Sequence, residues 1–251
     1  MVRASKPVQA QVAAVSAKPK AAGGRPLVRL APGEAADDSE ANGKSGDARK
    51  PPAKKRGDDV RKRVLQAALD CFGAFGFEGT STRAVASRAK VTHTLVLYHF
   101  QSKEQLWIAT MQDALDAYGA AMKDNFEHLH ESTAGAALTT FIEQFVRMSA
   151  NKPQIHRILT MESNQGTARL DWIIEHFIRW HFTLIRDLIR RGQAEGTVRE
   201  FDPARLYYQI ISMGGTPFTI ATEYKAMTGR DVFSEAEILR IIAFIHEIVF
   251  K

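Results

Sequence analysis

A single cysteine, Cys71, occurs in 251 residues, so neither a disulfide framework nor a multi-cysteine metal site can form within the chain. A reducing cytoplasm is therefore the expected setting. No apolar run approaches the roughly 18 residues that a membrane-spanning helix needs, and no membrane partner is expected. Phosphate-cradling Gly loops, nucleophile elbows and paired catalytic acids are missing too, which leaves no constellation for an enzyme and no cofactor to expect. Glu127 and His130 have the Glu-x-x-His spacing of di-metal helical bundles, but those sites need a second copy and further glutamates, and no second copy is present, so no metal is expected. Residues 1–57 contain no Phe, Trp or Tyr, and the first 33 no Asp or Glu. Rich in Ala, Pro, Gly and Lys, that arm cannot bury enough surface to offset the entropy of ordering and is expected to be disordered. Its basic, acid-free start is a feature shared with organellar transit peptides, while the missing apolar segment argues against a secretory signal.

What is present begins with an uneven charge. The net +6 combines an arm (1–57) holding 12 Lys and Arg against 5 Asp and Glu, a following stretch (58–110) holding 7 against 5, and a body (111–251) holding 15 against 18. A basic end on a mildly acidic body fits a protein that meets a polyanion with one end only. Lys50, Lys54, Lys55 and Arg56 directly precede the first helix; they read either as a solvated tail or as added phosphate and minor-groove contacts.

Asp58 or Asp59 is the expected cap of that helix, whose apolar positions Val60, Val64, Ala68, Cys71, Phe72 and Phe75 recur every three or four residues up to Gly76. Phe72 and Phe75 are expected to pack over the next stretch, Thr80 to Leu106. There, Thr80 or Ser81 caps a short helix with Val85, Ala86 and Ala89 inward. Lys90 makes the turn, and Thr92 caps a second short helix with Leu95, Val96 and Phe100 inward. This is the spacing of a helix-turn-helix. The outward set, Thr92, His93, Thr94, Tyr98 and His99, can donate or accept hydrogen bonds and suits a major groove. Ser102-Lys-Glu-Gln105 reads as a capping box that starts a long helix.

The stretch resembles the N-terminal DNA-binding domain of the tetracycline-repressor (TetR) family of transcriptional regulators. The likeness rests on Gly-Phe-Glu-Gly ending at Gly79, Thr80-Ser81, Arg83, Val85-Ala86, Ala89-x-Val91-Thr92, Tyr98-His99-Phe100 and Ser102-Lys103-Glu104, in the family's order. Two positions depart from the pattern. Lys90 stands where the family usually has Gly, and a left-handed residue with a Cβ costs about 1 kcal/mol. Leu97 replaces a tyrosine that contacts phosphate in many members, so that role is expected to pass to Tyr98. The resemblance implies DNA contacts from Ser81, Thr82, Arg83, Thr92, His93, Thr94, Tyr98, His99 and Lys103.

Helices alone are expected beyond Ser102: to about His130 with Leu106, Met111, Leu115, Tyr118, Met122 and Phe126 on one side; Gly135 to Ala150; Pro153 to Glu162; about Ala168 to Glu195, apolar on most of its girth and hence surrounded; from Asp202-Pro203 to a kink or break at Gly214-Gly-Thr-Pro217; and from a second capping box, Ser234 to Glu237, to the end. The broad apolar stripe of the last helix (Ile238, Ile241, Ile242, Ile245 and Val249, widened by Leu239, Phe244 and Ile248), near the small Ser212, Gly214 and Gly215, fits either an intrachain core or a subunit interface. Glu175 with Arg179 and Asp187 with Arg191 are surface pairs. His181, on the apolar side of its helix, is either a hydrogen-bonded core residue or a ligand contact; Trp172, His176 and Trp180 read as packing.

The expected fold is all-α: a disordered arm (1–57), a three-helix DNA-binding domain (58–104) and a helical ligand-binding and dimerisation domain (105–251). The resemblance implies a homodimer on a double-stranded palindromic operator, released by a small apolar or aromatic effector. It also implies a cavity, for which Trp107, Met111, Tyr118, Phe145, Met148, Phe177 and His181 are the candidates. A weakly specific architectural DNA-binding protein without an effector is the alternative.

Overall fold

A computed structural model describes the backbone of residues 53–127 and 133–251, and side chains for 57–120 and 133–251. The readings of the basic arm before residue 53, of Met122 and Phe126, and of the Glu127–His130 pair lie outside the described side chains. Among the described residues every regular element is a helix, as expected: α1 (Ala53–Gly79), α2 (Thr82–Ala89), α3 (His93–Phe100), α4 (Lys103–Glu127), α5 (Ala134–Asn151), α6 (Pro153–Ser163), α7 (Ala168–Ile173), a π-helical turn (Ile174–Ile178), α8 (Arg179–Ala194), α9 (Pro203–Thr219), α10 (Ala221–Thr228) and α11 (Glu235–Val249).

Lys50–Lys251 fold as one compact unit around two apolar cores. The first gathers Val64, Ala68 and Phe72 of α1, Val85 and Ala86 of α2, and Val96 and Phe100 of α3. It continues through Leu106, Trp107, Met111 and Leu115 of α4 to Ile155 and Ile158 of α6 and Ile173 of α7. The second is built from α5, α8, α9 and α11, around Leu138, Phe141, Ile142, Ile185, Ile210 and Ile245. The seam between α1 and α6 is tight: a Cβ built on Gly73 would lie 2.7 Å from Cβ of Gln154.

Several boundaries differ from expectation for identifiable reasons. The first helix starts at Ala53, so Asp58 and Asp59 lie inside it instead of capping it; Lys54, Lys55 and Arg56 are good helix formers and extend it backwards. Gly76, at φ 69° and ψ 179°, kinks α1 in a conformation that glycine alone adopts easily. Phe75, the last residue before the kink, is 66% exposed, and beyond the kink Phe77 takes the core place, stacked 6.0 Å from Phe72. Thr80, the alternative cap of α2, is instead buried and donates to the Gly76 carbonyl at 2.8 Å.

The expected break at Gly214–Pro217 does not occur, and α9 continues to Thr219. The two glycines serve close packing: a Cβ on Gly214 would meet the Phe145 ring at 2.9 Å, and one on Gly215 the His156 imidazole at 2.4 Å. They therefore face inward, which removes them from any subunit interface. Ser234 forms no capping box. Its hydroxyl donates to the Asp231 carbonyl, and Glu237 is held by the Tyr224 hydroxyl at 2.6 Å and Arg240 at 2.7 Å; a charged partner outcompetes one backbone N–H. Asp187 pairs with Arg186 and Arg190 in place of Arg191, while Glu175 and Arg179 pair as expected. The long α7–π–α8 rod is not surrounded, since Leu170, Ile174 and Phe182 are half-buried and Trp180 is exposed.

Candidate functional site

The helix-turn-helix forms as its caps demand. Ser81 Oγ accepts from the Ala84 N–H at 3.1 Å and Thr92 Oγ1 from the Leu95 N–H at 3.3 Å, each relieving an orphan donor at a helix start. Lys90 adopts the left-handed conformation, φ 55° and ψ 48°, expected of a glycine there, and its N–H closes α2 on the carbonyls of Ala86 and Ser87. Val96 and Phe100 are buried, and Leu95 is half-buried. The opposite face of α3 presents Thr92, Thr94 and Tyr98 as exposed residues, with His99 half-buried; Ser81 and Arg83 are exposed at the start of α2.

His93 departs from the outward reading. Its Nε2 lies 2.9 Å from Thr82 Oγ1, so the two residues clip α3 to α2. With the Thr82 hydroxyl donating, Nδ1 carries the proton and remains as the outward donor. Lys103 is half-buried with its ammonium 4.3 Å from the Phe77 ring centre. Arg169 stacks on the same ring at 3.8 Å and is itself held by Glu162, so Lys103 stands on a braced platform. No local pattern signals that platform, because Arg169 is some ninety positions away and the kink at Gly76 is what turns Phe77 inward.

A cavity of about 300 Å³ lies between the two cores, with walls from α4, α5, α6, the π turn, α8 and α9. Tyr118, Phe145, Met148, Phe177 and His181 line it. Trp107 and Met111 do not: both are fully buried in the first core, where Trp107 meets Trp172 edge-on at 5.9 Å. Met111, Leu115 and Tyr118 are buried along one side of α4, as expected. The discrepancy is axial, because at about 1.5 Å per residue the helix rises some 16 Å from 107 to 118, and only its later part reaches the cavity.

His181 is 2% exposed and hydrogen-bonded at both ring nitrogens, Nε2 with the Tyr118 hydroxyl at 2.9 Å and Nδ1 with that of Tyr207 at 3.0 Å. Burial pushes its pKa down to about 4 and raises those of both tyrosines, so the trio is neutral near pH 7. His181 is thus a hydrogen-bonded core residue that also lines the cavity. The π turn, unsigned in the sequence, brings the consecutive Phe177 and Ile178 onto the wall. Tyr207 and His156 also line the cavity, and burial lowers the His156 pKa. Their helices can be read from the sequence, but their facing one another cannot.

Among the described residues no cluster of three His, Cys, Asp or Glu could hold a metal ion, and no helix is long and apolar enough to cross a membrane.

Comparison with known proteins places these observations in a lineage. Residues 64–110 match the family sequence model described as bacterial regulatory proteins, tetR family, and residues 135–249 match that of the tetracyclin repressor-like C-terminal domain. The chain is 28% identical over 194 residues to the HTH-type transcriptional regulator RutR of Escherichia coli K12, spanning 76% of this chain and 89% of RutR. It is 30% identical over 162 residues to the HTH-type transcriptional regulatory protein RaaS of Mycobacterium tuberculosis H37Rv, 61% of this chain and 67% of RaaS. Its fold is similar to the crystal structure of AibR in complex with isovaleryl coenzyme A and operator DNA, with a TM-score of 0.63 at 15% identity over 76% of this chain and 98% of AibR.

Proposed function

The chain belongs to the tetR family of bacterial regulatory proteins, and on that premise we propose that this DNA-binding transcriptional regulator is a cytoplasmic repressor. It holds a palindromic operator as a homodimer and releases it when a small, largely apolar or aromatic molecule fills the cavity. One observation carries the reading: a single helix, α4, starts at the DNA-binding head beside Lys103 and supplies Leu115 and Tyr118 to the cavity wall. A ligand that tilts α4 changes the separation of the two α3 helices in a dimer, which must be about 34 Å to reach successive major grooves. A differential affinity of a few kcal/mol between the two spacings is enough to release the operator.

Further support comes from the surfaces. Ser81, Arg83, Thr92, Thr94 and Tyr98 are exposed on the head, with His99 and Lys103 half-buried, and these side chains are the ones that read base edges and phosphates. Phe201, Tyr208, Leu239 and Phe244 are 48–59% exposed on the α9–α11 side, the apolar excess that a second copy would cover. AibR, with the same fold, is known in complex with both an acyl coenzyme A and operator DNA. An architectural binder without an effector has no use for a largely apolar cavity of about 300 Å³, which favours the repressor reading.

The test is selection of duplexes from a random-sequence library. Two-fold symmetric sites are expected, and Thr94→Ala or Tyr98→Ala should each lower discrimination by about 1–3 kcal/mol, the worth of one base contact. Sites without symmetry, or an unchanged ratio of specific to random binding in both variants, would refute the reading.

A further inference from the structure

Tyr118 and His181, the two polar residues among the cavity candidates, already bond one another and Tyr207, so a ligand's polar end is better held elsewhere in the cavity. Ser149 offers that place. It is 1% exposed, lines the cavity, and its Oγ is buried with no hydrogen-bond partner among the described residues. An unpaired buried hydroxyl is costly, and native structures seldom keep one without a use. Lys152, the non-helical residue that joins α5 to α6 three positions later, is also on the wall. It is the one charged side chain among the described lining residues; no Asp, Glu or Arg joins it. Lys152 also borders a shallower cleft containing Asp113, yet no ion pair joins the two. The imidazole of His156, four residues further on, completes this corner and is pinned there by Gly215 and by the Phe145 ring, 6.5 Å away. Across from the corner the wall is Leu115, Phe177 and Ile178.

We propose that the cavity is built for a monoanion, an aromatic or acyl carboxylate whose charged end sits at Ser149 and Lys152 while its apolar body lies against Leu115 and Phe177. The assignment rests on the reading of this cavity as the effector site and names the chemical class it takes. Ser149 donates to one carboxylate oxygen and the Lys152 ammonium to the other, both charge-assisted bonds. With His156 and His181 neutral, a cationic ligand meets only the repulsion of Lys152, and a neutral one leaves that ammonium uncompensated at the wall.

Three nearly isosteric probes distinguish the cases: phenylbutyrate, phenylbutyramide and phenylbutylamine, titrated calorimetrically into the full chain at neutral pH. Phenylbutyrate should bind about tenfold tighter than the amide, as expected for one half-exposed charge-assisted contact, and the amine weakest. In Lys152→Gln the advantage of the anion should shrink to within about twofold, with Lys152→Met as a second variant and thermal melts confirming that each is folded. Ser149→Ala should weaken phenylbutyrate severalfold. The proposal is overturned if the amide binds as tightly as the anion, if the anion's advantage survives both Lys152 substitutions, or if none of the three binds at millimolar concentration. Release of a labelled operator, followed in the same titrations, separates the two levels. Release without regard to probe charge keeps the effector site and sinks the carboxylate assignment. Charge-selective binding that depends on Lys152 but never releases DNA supports the assignment and sinks the effector reading.

Discussion

Replacing Gly73 with alanine sets two effects of opposite sign against each other at the seam between the DNA-binding head and the cavity. Gly73 is in the middle of α1, where alanine gains about 0.5–1 kcal/mol in helix propensity. The added Cβ, however, would stand 2.7 Å from Cβ and 3.0 Å from Cα of Gln154. The second contact decides the sign, because a Cα cannot swing aside as a side-chain end can. Relief to ordinary contact needs α1 and α6 to part by about 1 Å, and overpacking of that kind costs typically 1–3 kcal/mol. The separation also strains the hydrogen bond from Gln154 to Asp70, 3.0 Å long, and Asp70 is the carboxylate that holds Arg88 of α2. The net expectation is a loss of about 1–2 kcal/mol, or about 2–8 °C in Tm for a folded unit of this size. Gly119, in α4, has nothing within 4 Å of its built Cβ and is the control; its alanine variant should gain about 0.5–1 kcal/mol. Thermal and urea melts of both variants give the answer. If Gly73→Ala is as stable as Gly119→Ala, the seam is looser than argued and α6 is not rigidly joined to α1.

His181→Phe keeps the aromatic packing against Phe177, 5.4 Å away, but leaves the Tyr118 and Tyr207 hydroxyls without their partner; it should cost about 1–3 kcal/mol in urea melts for the orphaned groups. The same residue sets a pH dependence. Its folded pKa, about 4, lies below the ordinary histidine value of 6.5, so between those values the unfolded chain binds more protons. Stability should be full above pH 6.5 and fall as pH drops towards 4, by up to about 3 kcal/mol, and that slope should flatten in His181→Phe; an identical profile would show that another group carries it. Lys90→Gly removes the strain of a side chain at φ 55° and should raise stability by up to about 1 kcal/mol in the same melts, a gain whose absence would mean that the turn is unstrained. Deleting residues 1–49 should leave operator choice unchanged and flatten the salt dependence of binding by about 0.9 in log-log slope for each phosphate that those residues neutralise; an unaltered slope would show residues 1–49 to be inert and leave Lys50, Lys54, Lys55 and Arg56 as the arm's only candidates for phosphate contact.

Where a local rule has no competitor, it can be read directly from the residues. Ser81, Thr92, Asp202 and the Lys90 turn act where their short-range chemistry puts them, because a cap answers to backbone groups two or three residues away. The failures arise where a competing interaction or torsion overrides the local pattern. Phe77 replaces Phe75 in the core because the chain leaves the regular helical path at Gly76, between them. Ser234 and Glu237 lose their capping box to Asp231, Tyr224 and Arg240. Gly214 and Gly215, which fit small residues awaiting another subunit, are small because Phe145 and His156 already fill the space above them.

The cavity is half legible for a related reason. Periodicity identifies which face of a helix is buried, and so Tyr118, Phe145, Met148, Phe177 and His181 are within reach of sequence reasoning. It does not say at what height along the axis the filled core gives way to empty space, which is why Trp107 and Met111 fall on the other side of that boundary. Nor does it mark the residues most informative about a ligand. Ser149 and Lys152 look like the polar end of an ordinary amphipathic helix, and their meaning comes from what is not near them among the described residues: an acceptor for the serine hydroxyl and an acid for the lysine. An unmet bonding capacity is a property of the assembled fold, since it depends on every element that might have supplied the partner and did not.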